Sequence, residues 1–213
     1  TSAIQFTGDL SGNGSLNALT LATPGAISFG TLGQSATGVN GPLGAINLNG
    51  SIASFNSGAI TASSLTTNGT VQGNISVTGT QSYTGNVNLK ANGNIGLGVI
   101  NSVAALTLDN SSANGTITLN DVNASGAATL NHGGNLLFTG ASFKAGSLAE
   151  STTNGSVLLE TGALANGVSV EVTGNSADIT FSSPVIINDK ATVKGVSGNI
   201  NFANTVDSPG TKD

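Results

Sequence analysis

Large apolar residues along this chain alternate with small or polar ones in short bursts, and the bursts recur. The clearest lies near the end, Gly198-Asn199-Ile200-Asn201-Phe202-Ala203-Asn204, where a Gly-Asn turn leads into apolar, polar, apolar alternation. A period of two marks a strand with one buried face, because successive side chains of a strand point to opposite sides. Similar phrases begin at Ile4, Ile27, Ile52, Ile75, Ile95, Ile117, Leu136, Val157 and Ile179, at steps of 19 to 25 residues. The next large apolar position follows two residues on, or three at Phe55, and collects five of the 7 phenylalanines: Phe6, Phe29, Phe138, Phe181 and Phe202 in the two-residue spacing, with Phe55 as a sixth in the wider one. Self-similarity at a fixed period of about 20–50 residues is the signature of a solenoid.

Most phrases are followed by a further alternation within the same repeat. Val87-Asn88-Leu89, Leu106-Thr107-Leu108, Ala128-Thr129-Leu130, Val168-Ser169-Val170-Glu171-Val172 and Val185-Ile186-Ile187 are examples, separated by Gly, Asn and Ser turns. Several short strands per repeat predict an all-β fold: a right-handed parallel β-helix of about ten coils of ~21 residues, with coils about 4.8 Å apart and a rod on the order of 50 Å long. The chain is expected to be a single solenoid over residues 1–213, with longer, looser coils in 1–70 and regular ones in 71–213. Inward residues should stack on their counterparts one coil on, so Phe181 and Phe202 are expected to touch. The positions between them (Gln5, Ser28, Ser76, Gly96, Thr118, Thr180, Asn201) should face water, and Leu137 and Leu158 there predict a local apolar spot or a change of register. Asn74, Asn94, Asn114, Asn135, Asn154, Asn175 and Asn199 fall at corners, where asparagine tolerates a left-handed backbone and hydrogen-bonds to its own or a stacked neighbour's main chain. The wide step before Ile52 places a turn-rich excursion at Gly33 to Pro42, a surface loop or a contact loop.

Composition supports a narrow core. Of 213 residues 31 are Gly, only 7% are charged, and there is no Arg. A net charge of -5 with five lysines argues against nucleic acid, which needs a basic face to neutralise phosphates, and against anionic membrane surfaces. No run of apolar residues is long enough to span a bilayer as a helix, and with no Cys there is neither a disulfide nor a thiolate ligand.

Three stretches carry a family resemblance: Ile4-Gln5-Phe6-Thr7-Gly8-Asp9-Leu10, Gln81-Ser82-Tyr83-Thr84-Gly85-Asn86-Val87-Asn88-Leu89 and Asn199-Ile200-Asn201-Phe202-Ala203-Asn204-Thr205-Val206-Asp207. In repeat style the chain resembles the repeat regions of filamentous-haemagglutinin-like adhesins, β-helical exoproteins exported by two-partner secretion or as autotransporter passengers. The resemblance implies a secreted or surface-attached fibre used in adhesion, cell-cell contact or biofilm, with glycans or proteins of host or neighbouring cells as partners. The family's amino-terminal secretion domain is not recognisable here, nor is an Arg-Gly-Asp tripeptide. The first and last coils read as interior repeats, so the chain is expected to be a segment of a longer protein or a subunit that stacks head to tail into a filament.

Other β-helical proteins degrade polysaccharides, which requires two carboxylates across a cleft. Glu150 and Glu171 stand about one coil apart and are candidates for stacked neighbours; Asp109 and Asp121 form a second pair. The expectation is that all four are solvated surface charges. A lyase would need Arg or Lys against a uronate, and Lys190 and Lys194 beside Asp189 are the nearest match. His132, the one histidine, is expected to lie exposed in the turn Asn131-His132-Gly133-Gly134, and a lone histidine makes no usual transition-metal site. An ice-binding β-helix would need a regular array of Thr-x-Thr, and here Thr116-Ile117-Thr118 is isolated in a column of varied residue type. Glycosylation sequons occur at Asn13, Asn49, Asn68, Asn74, Asn110, Asn114, Asn123 and Asn154, about as many as this composition supplies. No catalytic, cofactor-binding or metal-binding residue is assigned, and no cofactor is expected.

Overall fold

The computed structural model describes residues 2–10, 12, 17–33, 41–112, 114–152, 154–159, 167–188 and 190–208. Among them are 25 strands, joined in one continuous sheet, and no helix. The sheet is wound into a parallel β-solenoid of about nine coils of about 21 residues. The excursion at Gly33 to Pro42 lies outside the described residues except for Gly33, Gly41 and Pro42.

Each coil contributes to three faces. Face A is built from strands such as Ile75–Val77, Ile95–Leu97, Ile117–Leu119, Leu136–Phe138 and Val157–Leu159, each paired in parallel with the next. Face B contains Gln81–Tyr83, Ile100–Val103, Val122–Ala124, Ser142–Ala145 and Val168–Val172. Face C contains Val87–Lys90, Leu106–Asp109, Ala127–His132, Ser147–Thr152 and Ile179–Phe181. Most of these strands are three to six residues long, just enough for one or two inward side chains before the chain must turn.

Inward residues of all three faces form one core. On face A the column Ile27, Phe55, Ile75, Ile95, Ile117, Leu136 and Val157 is fully enclosed. Burying each of these side chains contributes about 1.5–3 kcal/mol, so the columns hold the rod together. The expected ring stacks are present. Phe181 and Phe202 lie with centroids 5.4 Å apart and 15° between planes, and Phe6 and Phe29 at 5.0 Å and 7°.

The column itself differs from the one expected in two places. Phe55, not Ile52, pairs with both Ile27 and Ile75. Beyond Val157, the partner on face A is Val185, while Ile179 pairs with Leu148 and Ile200 with Ile179 on face C. The cause is the connection between Val157–Leu159 and Val168–Val172. Residues 160–167 separate these strands, where 98–99 and 120–121 separate their counterparts in earlier coils. That longer connection delays every later strand, and a count of about 21 residues from Val157 then arrives at face C instead of face A.

The corners use asparagine as a bridge between coils. The Asn74 side-chain oxygen accepts from the Asn94 N–H at 2.9 Å, Asn94 from Thr116 at 2.8 Å, and Asn135 from Ser156 at 3.2 Å. Hydrogen bonding to the stacked neighbour is thus the use made of Asn74, Asn94 and Asn135. The left-handed backbone expected as an alternative is absent from them: among the described residues other than glycine, only Ser176 has positive φ, at 56°. Glycine is required at the same corner for close approach, since a Cβ on Gly155 would collide with the Gly134 carbonyl one coil away.

Outward on face A, Thr118, Leu137, Leu158 and Ile186 stand in register. Leu137 and Leu158 therefore form a half-exposed apolar spot, and Ile186 extends it.

Candidate functional site

The charged residues singled out in the sequence separate into buried and exposed groups. In strand Ser147–Thr152, Leu148 points inward, Ala149 outward and Glu150 inward. Glu150 consequently occupies an apolar column of face C, paired with Leu130 on one side and Phe181 on the other. It is enclosed, as is His132, which the alternation of strand Ala127–His132 also turns inward. Both were expected at the surface. Both are instead core residues, because each has the parity of the leucine two positions before it.

Burying a carboxylate is costly unless it is paired and hydrogen-bonded. Glu150 meets that condition fully. Its Oε1 lies 2.5 Å from His132 Nε2, and the Ser183 hydroxyl donates to the same oxygen. Its Oε2 accepts backbone N–H groups of Ser182 at 2.8 Å and Ser183 at 3.1 Å. The other ring nitrogen of His132, Nδ1, lies 2.6 Å from the Gly134 carbonyl oxygen. Each ring nitrogen thus lies within hydrogen-bond distance of an oxygen, so both take part in the network. Burial alone would raise the Glu150 carboxyl above its ordinary value, but the His132 and Ser183 hydrogen bonds outweigh it, and the net displacement is downward.

Asn110 continues this polar seam through the core. It is fully enclosed, its amide donates to the Gly93 carbonyl at 3.2 Å, and its oxygen accepts from the Gly133 N–H at 3.4 Å. The sequon at Asn110 is therefore inaccessible. The seam runs from Gly93 to Ser183 and ties successive coils at the corner between faces C and A. A smaller polar inclusion lies on face B, where the Tyr83 hydroxyl donates to Gln81 Oε1 at 3.0 Å. There Gln81 Nε2 is buried without a hydrogen-bond partner, as is Ser57 Oγ on face A, and burial pushes the Tyr83 phenol well above its ordinary value.

The carboxylate pairs proposed from spacing do not assemble. Glu171 is outward on face B, stacked on Lys144 and Lys194, whose ammonium groups lie 3.6 Å and 3.2 Å from its carboxylate. The Lys194 hydrogen bond and charge, with Lys144 behind them, hold Glu171 below its ordinary value. Asp109 is outward on face C and pairs with Lys90 at 3.2 Å. Burial raises its carboxyl, and hydrogen bonds from Ser111 together with Lys90 bring it below the ordinary value. Asp121 lies at the corner before Val122 and accepts the Ser142 N–H at 2.9 Å. Lys190 is exposed, and its neighbour Asp189 lies outside the described residues.

The outer surface of face C has two columns of different character. The one at the corner side is paired off between coils: Asn68 donates to Asn49 at 2.8 Å, Lys90 meets Asp109, and Ser151 donates to Asn131 at 2.8 Å. The central column runs through Thr20, Asn47, Thr66, Asn88, Thr107 and Thr129 in register. It continues through Ala149 to Thr180 and Asn201. These side chains are exposed or half-exposed, and none hydrogen-bonds to another described residue. Alternation made such a face legible, but its length was hidden by the face change after Val157.

Comparison with protein-family models, with curated proteins and with solved structures gives no match for this chain.

Proposed function

We propose that this chain is a rod of an extracellular adhesin-like fibre, working through reach and surface contact rather than catalysis. The observation that carries this reading is where the polar chemistry lies. The histidine and Glu150 are enclosed in the core and hydrogen-bond to one another, whereas the long outer column of face C is uncharged and has no hydrogen-bond partners among the described residues. Glu150 and Glu171 lie on different faces, one buried and one exposed, which does not favour the polysaccharide-degrading alternative. The resemblance to filamentous-haemagglutinin-like repeats points the same way and supplies the partner class, glycans or proteins of a host or neighbouring cell.

Beads coated with the folded protein are expected to attach to cell or matrix surfaces, and beads coated with heat-unfolded protein are not. Equal attachment of both, or none of either, would remove the reading. Pectin, alginate and glycosaminoglycans incubated with the protein should show no new reducing or unsaturated ends; their release would favour the enzyme instead.

A head-to-tail filament is a second reading, in which the edge of the last described strands is the contact. Ile200 and Val206 belong to inward columns yet are 41% and 48% exposed, because no described strand pairs beyond them. Phe6 in the first coil is exposed to 47%. A further coil would cover such an edge, and if a second copy supplies it the contact does not close and a filament grows.

A further inference from the structure

The central column of face C is a repeating array, and its repeat limits what can lie against it. Parallel strands stack about 4.8 Å apart, so the column offers one hydroxyl or amide at that spacing over about 40 Å, interrupted by the methyl of Ala149. An occupant that satisfies the array throughout must repeat at the same spacing along the rod. It must also be uncharged, because the column carries no charge, and it must both donate and accept hydrogen bonds, as threonine and asparagine do. The same column of a second copy meets all three conditions, and its repeat is identical by construction. A folded protein of different architecture has no such repeat, and the column lacks the aromatic and arginine anchors that dominate the binding energy of most protein interfaces.

We infer that face C is a self-association surface, on which a second copy of this chain lies alongside the first, face C to face C. The contact is isologous, with Thr and Asn side chains of one rod hydrogen-bonding to those of the other. Its strength follows from its size. A strip about 40 Å long and two outward positions wide covers about 400 Å² per rod, against about 800 Å² per partner in a stable complex of standard size. The pairing is accordingly weak and reversible for one rod and strengthens steeply when many rods are tethered on facing surfaces. The inference rests on the rod reading above and names cell-cell contact between like fibres as its use.

Sedimentation equilibrium of the purified protein, from micromolar to millimolar concentration, tests it separately from bead attachment. A monomer-dimer equilibrium is expected, with little change between 0.05 and about 1 M salt, because the central column is uncharged and the charges beside it, Lys90 and Asp109, are already paired with each other. Thr66→Lys with Thr129→Lys should weaken dimerisation at least tenfold. Lysine already occupies outward positions of this sheet at Lys90 and Lys144, and an unchanged circular dichroism melt will show that the variant is folded. Ile200→Lys, which alters an inward position in the last described strand of face C and none of the outward column, should leave the dimer intact. A protein monomeric at millimolar concentration overturns the inference, as does association lost with Ile200→Lys but kept in the double lysine variant. The first result would leave attachment to other surfaces standing; the second would assign association to the end of the rod.

Discussion

Glu150 lies directly beneath Phe181 in the same inward column, so a carboxylate and a phenyl ring occupy equivalent places in adjacent coils. The difference between the two sites is the partner set. Glu150 has a histidine, a serine hydroxyl and two backbone N–H groups, while Phe181 has the ring of Phe202. A charge is tolerated in this core only where that set exists.

Glu150→Leu leaves His132 enclosed opposite no carboxylate and strands the donors at Ser182 and Ser183. Removing one member of a buried pair costs about 3–5 kcal/mol, whereas replacing the whole pair with apolar groups is often neutral or stabilising. The single variant is expected to lose that much in urea unfolding. Combining Glu150→Leu with His132→Leu should recover much of it, and strictly additive losses would contradict the pairing.

Acid should act through the same carboxylate. The folded-state value of Glu150 lies below its ordinary 4.5, so the folded protein holds the charged form more firmly than the unfolded chain does. The stabilisation from this difference is complete above about pH 4.5 and disappears as pH falls through the lower folded-state value. Melting temperature should decline across that acid range in the native protein and decline less in the Glu150→Leu/His132→Leu variant. Parallel curves would show that Glu150 is not the group responsible.

Phe181→Asp introduces a charge with none of the partners Glu150 has, next to Glu150 itself. It should destabilise the later coils by more than about 3 kcal/mol, through lost burial and an unpaired buried charge. A thermal transition unchanged from the native one would mean that the column has been drawn in the wrong register.

The face B inclusion predicts the opposite sign. Gln81 Nε2 is buried without a partner, and an unsatisfied buried donor costs about 1–3 kcal/mol. Replacing both partners, Gln81→Leu with Tyr83→Phe, should be neutral or raise the melting temperature, whereas Tyr83→Phe alone removes the donor to Gln81 Oε1 and should lower it.

Much of this fold was legible in the sequence because a strand with one buried face writes its geometry as parity. Phe181 and Phe202 stack as alternation requires, and Asn74, Asn94 and Asn135 bridge coils as corner residues should. Parity also held the signal for the buried network. Ala128, Leu130 and His132 share one phase, as do Leu148 and Glu150, so chemical type pointed outward while position pointed inward. The passage of the repeat phrase from face A to face C was not legible. A longer connection shifts all later phrases together and leaves their mutual spacing intact, so the spacing carries no trace of which face they occupy.

The corner ladder makes each coil depend chiefly on the coils next to it. A coil of this kind is therefore a unit of length as well as of structure. Duplicating one would extend the rod by about 4.8 Å without requiring any distant part of the core to be repacked. Reach thus becomes a quantity that gene duplication can raise or lower in equal steps, while the buried network around Glu150 remains where it is, a fixed mark on an extensible ruler.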